Sequence, residues 1–347
     1  MNSTAPIPRR GVVRCLAAAV LFGASAPAAS VLAGDLPTLV LAGLLYVGAA
    51  LAVLPTVARH RPTTTALRAA GRPLILAVVF GGAIGPALLV AGLERIPAAT
   101  ASLLLNFELV ATVAVAAFVF REHLGRRLLA AAGLVALAGV LLVWEPGAAI
   151  DIGGLLVIGA CVAWGIDNSV TARIDQLSPE QITFTKGVVA GTANLLLGIA
   201  VATAWQIETR QIVAALLIGA FGYGASITLW VKGARNLGAA RGQVIFATAP
   251  FVGAVLSWTL LGESIKIVQA LAVPLAAAGV ALSLRTAHEH VHHHAVVEHE
   301  HEHSHDDGHH DHHHAADPAG RHTHRHRHDP VEHAHPHVPD LHHGHSH

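Results

Sequence analysis

The sequence predicts an all-α membrane protein. Ten transmembrane helices form two inverted five-helix repeats, residues 1–145 and 146–285, followed by a disordered histidine-rich tail, 286–347. Three observations lead there. Charged residues make up 13% of the chain, about half the globular average, and apolar ones 53%, too little polar surface to coat a soluble globule. Lysine and arginine alternate in density from loop to loop. A weak pattern recurs 141 residues apart.

Apolar stretches fall at 11–32, 37–57, 74–93, 98–119, 126–144, 152–171, 181–204, 211–231, 239–261 and 267–285. Each is long enough to cross a hydrocarbon core about 30 Å thick. A helix satisfies its backbone within one segment, as lipid requires. Arg9, Arg10 and Arg14 precede the first stretch as a signal peptide's basic region would. That stretch is long and more follow it, so an uncleaved first span is expected. Short connections make consecutive helices antiparallel neighbours. Gly81-Gly82 and Gly85-Pro86 interrupt the third span, and Gly222 with Gly224 the eighth. Such residues let helices approach closely or bend, as packing sites or as hinges.

With the N-terminus inside, the inner loops and chain ends hold Arg59, Arg61, Arg68, Arg72, Arg121, Arg126, Arg127, Arg173, Lys232, Arg235, Arg241 and Arg285 besides the three arginines at the start. The outer loops hold only Arg95, Arg210 and Lys266. This positive-inside bias supports an even number of spans, both termini cytoplasmic, and a location in the inner or plasma membrane. No basic stretch is interleaved with aromatics, so nucleic acid is not an expected partner. Cys15 and Cys161 both lie in or beside apolar stretches and read as small packing residues, not a disulfide framework.

The repeat has three anchors. Phe22-Gly23 on the first span answers Trp164-Gly165 on the sixth. Residues 92–99 answer residues 233–240 without a gap. Glu122 answers Glu263, each ending a long span. The Glu122 loop is basic and inside, whereas the Glu263 loop is not basic and lies outside, as inversion requires. These residues, with Ala98-Ala99 through Glu122-His123-Leu124 and Ala239-Ala240 through Gly262-Glu263-Ser264-Ile265, resemble the drug/metabolite transporter superfamily, EamA type. The resemblance covers about 285 residues. It implies a ten-span secondary transporter and is nearly silent on cargo. The family often carries Glu-Pro in the fourth and ninth spans; here the fourth has Glu108-Leu109 and the ninth Ala249-Pro250, so a symmetric acidic pair is missing.

An ionisable group at bilayer depth costs a few kcal/mol or more, and is therefore a functional candidate by default. Glu108, in the middle of the fourth span, is the first candidate to bind a proton or a cationic cargo group. The alternative is a structural carboxylic acid bonded to a neighbouring helix. Asp167, followed by Asn168 on the sixth span, and Lys186 on the seventh complete the cavity candidates. Asp167 and Lys186 can pair between consecutive helices, as a structural ion pair or as a gate. Asn106 lies about 200° round the helix from Glu108 and suits helix packing better. Trp164 and Trp258 read as packing or anchoring residues, and Glu122 and Glu263 as caps or salt bridges that hold a loop.

Of the chain's 27 histidines, all but His60 and His123 lie in the tail. The tail has no apolar period and several prolines, so it is expected to be disordered without metal. His288, His290, His292, His293 and His294 open it. His299, His301, His303 and His305 alternate with acids, and His309, His310, His312, His313 and His314 follow. Imidazole is a good ligand for zinc, nickel or cobalt, and His-rich tracts read as metal binding. No fixed ligand spacing is apparent, so several exchanging sites are expected.

Expected partners are a small-molecule cargo, the lipid bilayer, transition-metal ions and, as an open alternative, a second copy in a homodimer. No cofactor is required. No G-x-x-x-x-G-K-[ST] phosphate loop and no catalytic cluster occurs, so the reading is a transporter, not an enzyme, with energy from an ion gradient, partner subunits or cargo concentration. Two alternatives stand beside a metabolite or drug-like cargo. One is a divalent-metal exporter fed by the tail; the other is a metal-storage or sensor protein without flux.

Overall fold

The structure is a computed structural model. It describes residues 9–119, 125–143, 151–171, 174, 176–202, 207–237, 245–284, 288–294, 297–303, 322–328 and 331–337. Two units are distinct, a helical body and the segment Ala287–Val338.

The described body is helical. Its elements are α1 (Arg9–Ser30), α2 (Thr38–Arg59), α3 (Thr64–Leu93), α4 (Ala98–Val115), α5 (Arg126–Val143), α6 (Ile152–Thr171), α7 (Pro179–Val201) and α8 (Thr209–Gly233), then α9 (Ala249–Leu260) and α10 (Ile267–Leu284). The first eight are long and apolar enough to cross a membrane; α9 and the apolar part of α10 are shorter. Large apolar side chains point outward along them, Val13, Leu16 and Val20 on α1 and Leu196, Leu197 and Ile199 on α7 among them. In water such a surface would drive association, whereas lipid accepts it.

Local sequence sets the helix starts. The Thr63 hydroxyl accepts from the Ala66 amide at the start of α3, 3.1 Å. Ser178 and Gln181 form a reciprocal capping box ahead of α7, with Pro179 in the first turn. Glu208 and Gln211 do the same for α8. Glu263, in the loop after α9, reaches across to another helix. Its two carboxylate oxygens accept from the Ala98 and Ala99 amides at 2.7 and 2.9 Å, capping α4 where the helix dipole favours an anion. This is the loop-holding role expected of it. Glu122 lies outside the described residues.

Helix packing is nearly unchanged when the two halves are exchanged. α1 packs on α8 and α9, as α6 packs on α3 and α4. α2 packs on α8, as α7 packs on α3. The pairs α2–α7, α4–α9 and α5–α10 join the halves. The anchors read from sequence sit at these contacts. A Cβ at Gly23 would meet the Ala249 carbonyl of α9, and one at Gly165 would come within 2.8 Å of Ala111 on α4. Close approach of this kind replaces the hydrophobic driving force that lipid does not supply.

The second unit contains β1 (His288–His294), β2 (Val297–His303), β3 (His322–His328) and β4 (Val331–His337). β1 pairs antiparallel with β4, and β2 with β3. In the register of β2–β3, Glu298 is partnered with Arg327 and Glu300 with Arg325.

Candidate functional site

The polar centre of the body is built where two helices lose regularity. α4 tightens for one turn at Leu105 and Asn106, where amides bond three residues back: Leu105 to Ser102, Asn106 to Leu103 and Glu108 to Leu105. Such a 3₁₀ turn inside a span marks strain or a hinge. Asn106 is buried, and its side chain donates to the Leu103 carbonyl, 3.0 Å. That bond is made within the turn itself. Beyond the turn a new helix starts at Phe107, with Glu108 in its first turn. α9 begins after a similar turn at Ala247 and Thr248, within one residue of the equivalent place.

α3 carries the second irregularity, a π-helical stretch at Ala77–Ile84. Widening the helix frees carbonyls, and side chains of other helices take them up. Tyr46 of α2 and Trp164 of α6 both donate to the Gly81 carbonyl, at 2.5 and 3.2 Å. Asn194 of α7 donates to the Ala83 carbonyl, 3.0 Å. A matching π stretch, Ala220–Ala225, lies in α8, the mate of α3. The glycines read as breaks at Gly81-Gly82 and at Gly222 and Gly224 lie in these two stretches.

Between these irregular places three helices bring the charged candidates together. The Lys186 ammonium of α7 lies 2.6 Å from the Asp167 carboxylate of α6. Thr171 donates to the same carboxylate at 2.9 Å. The pair is closed in, with side-chain exposures of 13% and 7%. One residue along α6, the exposed Asn168 donates to the half-buried Glu108 carboxylate of α4 at 2.6 Å. Asp167 and Lys186 are within electrostatic reach of Glu108. So Glu108, Asp167, Asn168 and Lys186 form one cluster with a sealed ion pair and a reachable carboxylate–amide pair. A bonded carboxylate at such a place can take a proton or a cationic group in exchange for its amide partner.

Two features were not legible beforehand. Tyr46 and Tyr223, the chain's only tyrosines, both lie within spans, with ring centroids 5.7 Å apart. Contacts continue from Tyr223 to Phe22, from Phe22 to Phe246 and from Phe246 to Trp230. That scarcity was the available signal. The other feature is Gln269, fully buried on α10. It donates to Thr100 at 2.9 Å and accepts from Trp258 at 3.2 Å, tying α10 to α4 and α9.

Among the described residues no group of three or more His, Cys, Asp or Glu is placed to hold an ion. His288, His290, His292, His293, His294, His299, His301 and His303 lie in the tail strands. His305, His309, His310, His312, His313 and His314 lie outside the described residues.

The family model described as the EamA-like transporter family matches residues 9–144 and again residues 151–285. A protein of Methanothermobacter thermautotrophicus named an uncharacterized transporter is 25% identical over 205 residues, 56% of this chain and 59% of that protein's length. A solved crystal structure of 19% sequence identity superposes with a TM-score of 0.57, over 79% of this chain and 96% of that chain. At that identity the likeness concerns the fold alone.

Proposed function

The chain belongs to the EamA-like transporter family, and on that premise we propose that it moves a small metabolite or drug-like solute across the cytoplasmic membrane by alternating access around Glu108. The observation that carries the reading is the Glu108–Asn168 hydrogen bond, made at the point where α4 restarts and reachable from outside the packed core. Broken helices at a central site are where secondary transporters bind cargo and coupling ions. Ten spans, as two inverted repeats with both termini in the cytoplasm, are the arrangement we infer. The near-exchange of packing partners between halves and the positive-inside bias support it.

The charges are unevenly shared between sets of helices. At the 141-residue spacing Glu108 is answered by Ala249, and at the 142-residue spacing of Gly23 and Gly165 Asp167 is answered by Ser25, beside Gly222. The ionic chemistry therefore sits on α4, α6 and α7, and the aromatic wall on α1, α2 and α8. Such a site favours an amphipathic solute with a cationic or hydrogen-bonding end. The tail is read as binding a divalent transition metal such as zinc, nickel or cobalt, as a buffer or sensor beside the transport unit. A metal exporter fed by the tail has no support from the spans, which hold no histidine.

The test is total solute and metal content of cells making the full-length protein or Glu108→Gln at matched abundance. A change in one class of organic solute that Glu108→Gln abolishes is expected. An unchanged solute profile, or a metal change that depends on Glu108, overturns the reading.

A further inference from the structure

The start of α3 does not run straight into its span. Gly71 has φ +35° and ψ −123°, a left-handed conformation that a side chain disfavours, so the helix bends there. Pro73 adds to the bend. It steers the residue before it away from the helical region and has no amide to give to the turn behind. Residues 64–70 therefore form a short arm ahead of the bend. Ala70 is its buried residue, and with Leu74 beyond the bend it packs on Ile174, Leu177 and Ile182. Those three lie between Asp167 and Lys186 in the chain, on the connection from α6 to α7 and the start of α7. The turn from α2 is held to the same place, because the Gln181 amide of α7 donates to the His60 carbonyl at 2.8 Å.

The exposed side of this elbow is basic. Arg59, Arg61, Arg68 and Arg72 are all exposed. None of them is paired with a carboxylate among the described residues. Like charges gathered within residues 59–72 repel one another unless an anion joins them. Just beyond the arginines the surface turns apolar. Ile75, Leu76 and Val79 of α3 are exposed, as are Leu51 and Leu54 near the end of α2. A basic rim thus borders an apolar flank.

We propose that the elbow between α2 and α3 is a binding site for an anionic phospholipid of the inner leaflet. Arg68 and Arg72 take its phosphate, Arg59 and Arg61 add to the attraction, and the apolar residues of α3 lie along an acyl chain. Basic residues beside a membrane attract anionic headgroups in this way. A free phosphate meets the arginines alone, whereas the lipid meets both surfaces. The leaflet rests on the topology proposed above; the site itself does not. A lipid held here clamps the arm onto the connection that joins the two helices of the Asp167–Lys186 pair.

The test is native mass spectrometry of the purified full-length protein in a neutral detergent, titrated with phosphatidylglycerol or phosphatidylcholine. The parent is expected to prefer phosphatidylglycerol. A basic residue beside an anionic headgroup contributes about fivefold in affinity, so Arg68→Gln with Arg72→Gln is expected to weaken that binding about 25-fold. Gly71→Ala keeps all four charges but strains the bend, and is expected to weaken it too. Arg126→Gln with Arg127→Gln removes as much charge from exposed positions at the start of α5 and is expected to bind like the parent. Glycerol phosphate at the lipid's concentration is expected not to displace it. No preference for phosphatidylglycerol overturns the proposal, as does parent-like binding by the Arg68, Arg72 variant or by Gly71→Ala. So does an equal loss in the α5 control, or displacement by glycerol phosphate. The leaflet is read separately. Thr65→Cys is expected to resist a membrane-impermeant thiol reagent in intact cells, and its labelling there would overturn the topology instead of the headgroup site.

Discussion

Gly81 of α3 and Asp167 of α6 approach so closely that a Cβ added at position 81 would land on the Asp167 carboxylate. The bare backbone of the π stretch admits a charged group between two helices, where Lys186 meets it from a third. The mate of this contact pairs Gly222 with Ser25, whose Cβ would lie 2.6 Å from the one added. The same geometry thus serves an ion pair at one inter-half contact and a hydroxyl at the other.

Gly81→Ala is expected to abolish transport and destabilise the protein, because the carboxylate must leave its place or the helices must part. Gly222→Ala meets only a serine and is expected to keep a larger share of its transport per folded molecule. Flux normalised to folded protein checks this. Equal losses in the two variants would mean that both glycines serve packing alone.

Breaking one partner of a closed-in ion pair strands a charge, at a cost of about 3–5 kcal/mol, whereas removing both is milder. Asp167→Asn and Lys186→Met are each expected to lower the unfolding temperature in detergent clearly. The double variant is expected to lose less than the sum. Additive losses would show that the pair contributes nothing as a pair.

Much of this was legible in the sequence because lipid is a strict solvent. It forces long apolar helices, puts basic residues on one side, and makes every buried charge conspicuous. Glu108, Asp167, Asn168 and Lys186 stood out for that reason, and the structure gathers them. The partners that complete the site are backbone groups. No periodicity announces that Gly81 offers its carbonyl to Tyr46 and Trp164, since this depends on a local widening of α3. Gln269 was equally silent, being an uncharged polar residue in an apolar stretch. In the tail the composition was plain but the pairing was not. The register is set between strands far apart in sequence, which composition does not display.

The Glu263 cap makes a structural prediction apart from transport. Two amides of α4 depend on its carboxylate. Glu263→Ala should cost about 1–2 kcal/mol, in the range of a lost helix cap. It is expected to lower thermal stability while leaving flux per folded molecule near the parent's. A variant of normal stability that transports poorly would move Glu263 out of a structural role and into the transport cycle.

Glu108 and Asn168 separate the same two roles in the opposite sense. Glu108→Gln keeps an acceptor oxygen for Asn168 and removes only the charge and the ability to take a proton. Helix packing should therefore survive, and the unfolding temperature should stay within a few degrees of the parent's while transport is lost. Asn168→Ala leaves the carboxylate in place but without its donor. A hydrogen bond to a charged group contributes about 1.5–3 kcal/mol, so a change of about ten- to a hundredfold in transport at limiting solute is expected, with stability again little altered because the side chain is exposed. Its direction is informative. If cargo displaces Asn168 from Glu108, losing the amide tightens cargo binding and slows release, so the maximal rate falls with the half-saturating concentration. If the amide instead orients the carboxylate toward cargo, binding weakens and the half-saturating concentration rises. Glu108→Gln with normal transport would remove the carboxylate from the mechanism, whichever way Asn168 behaves.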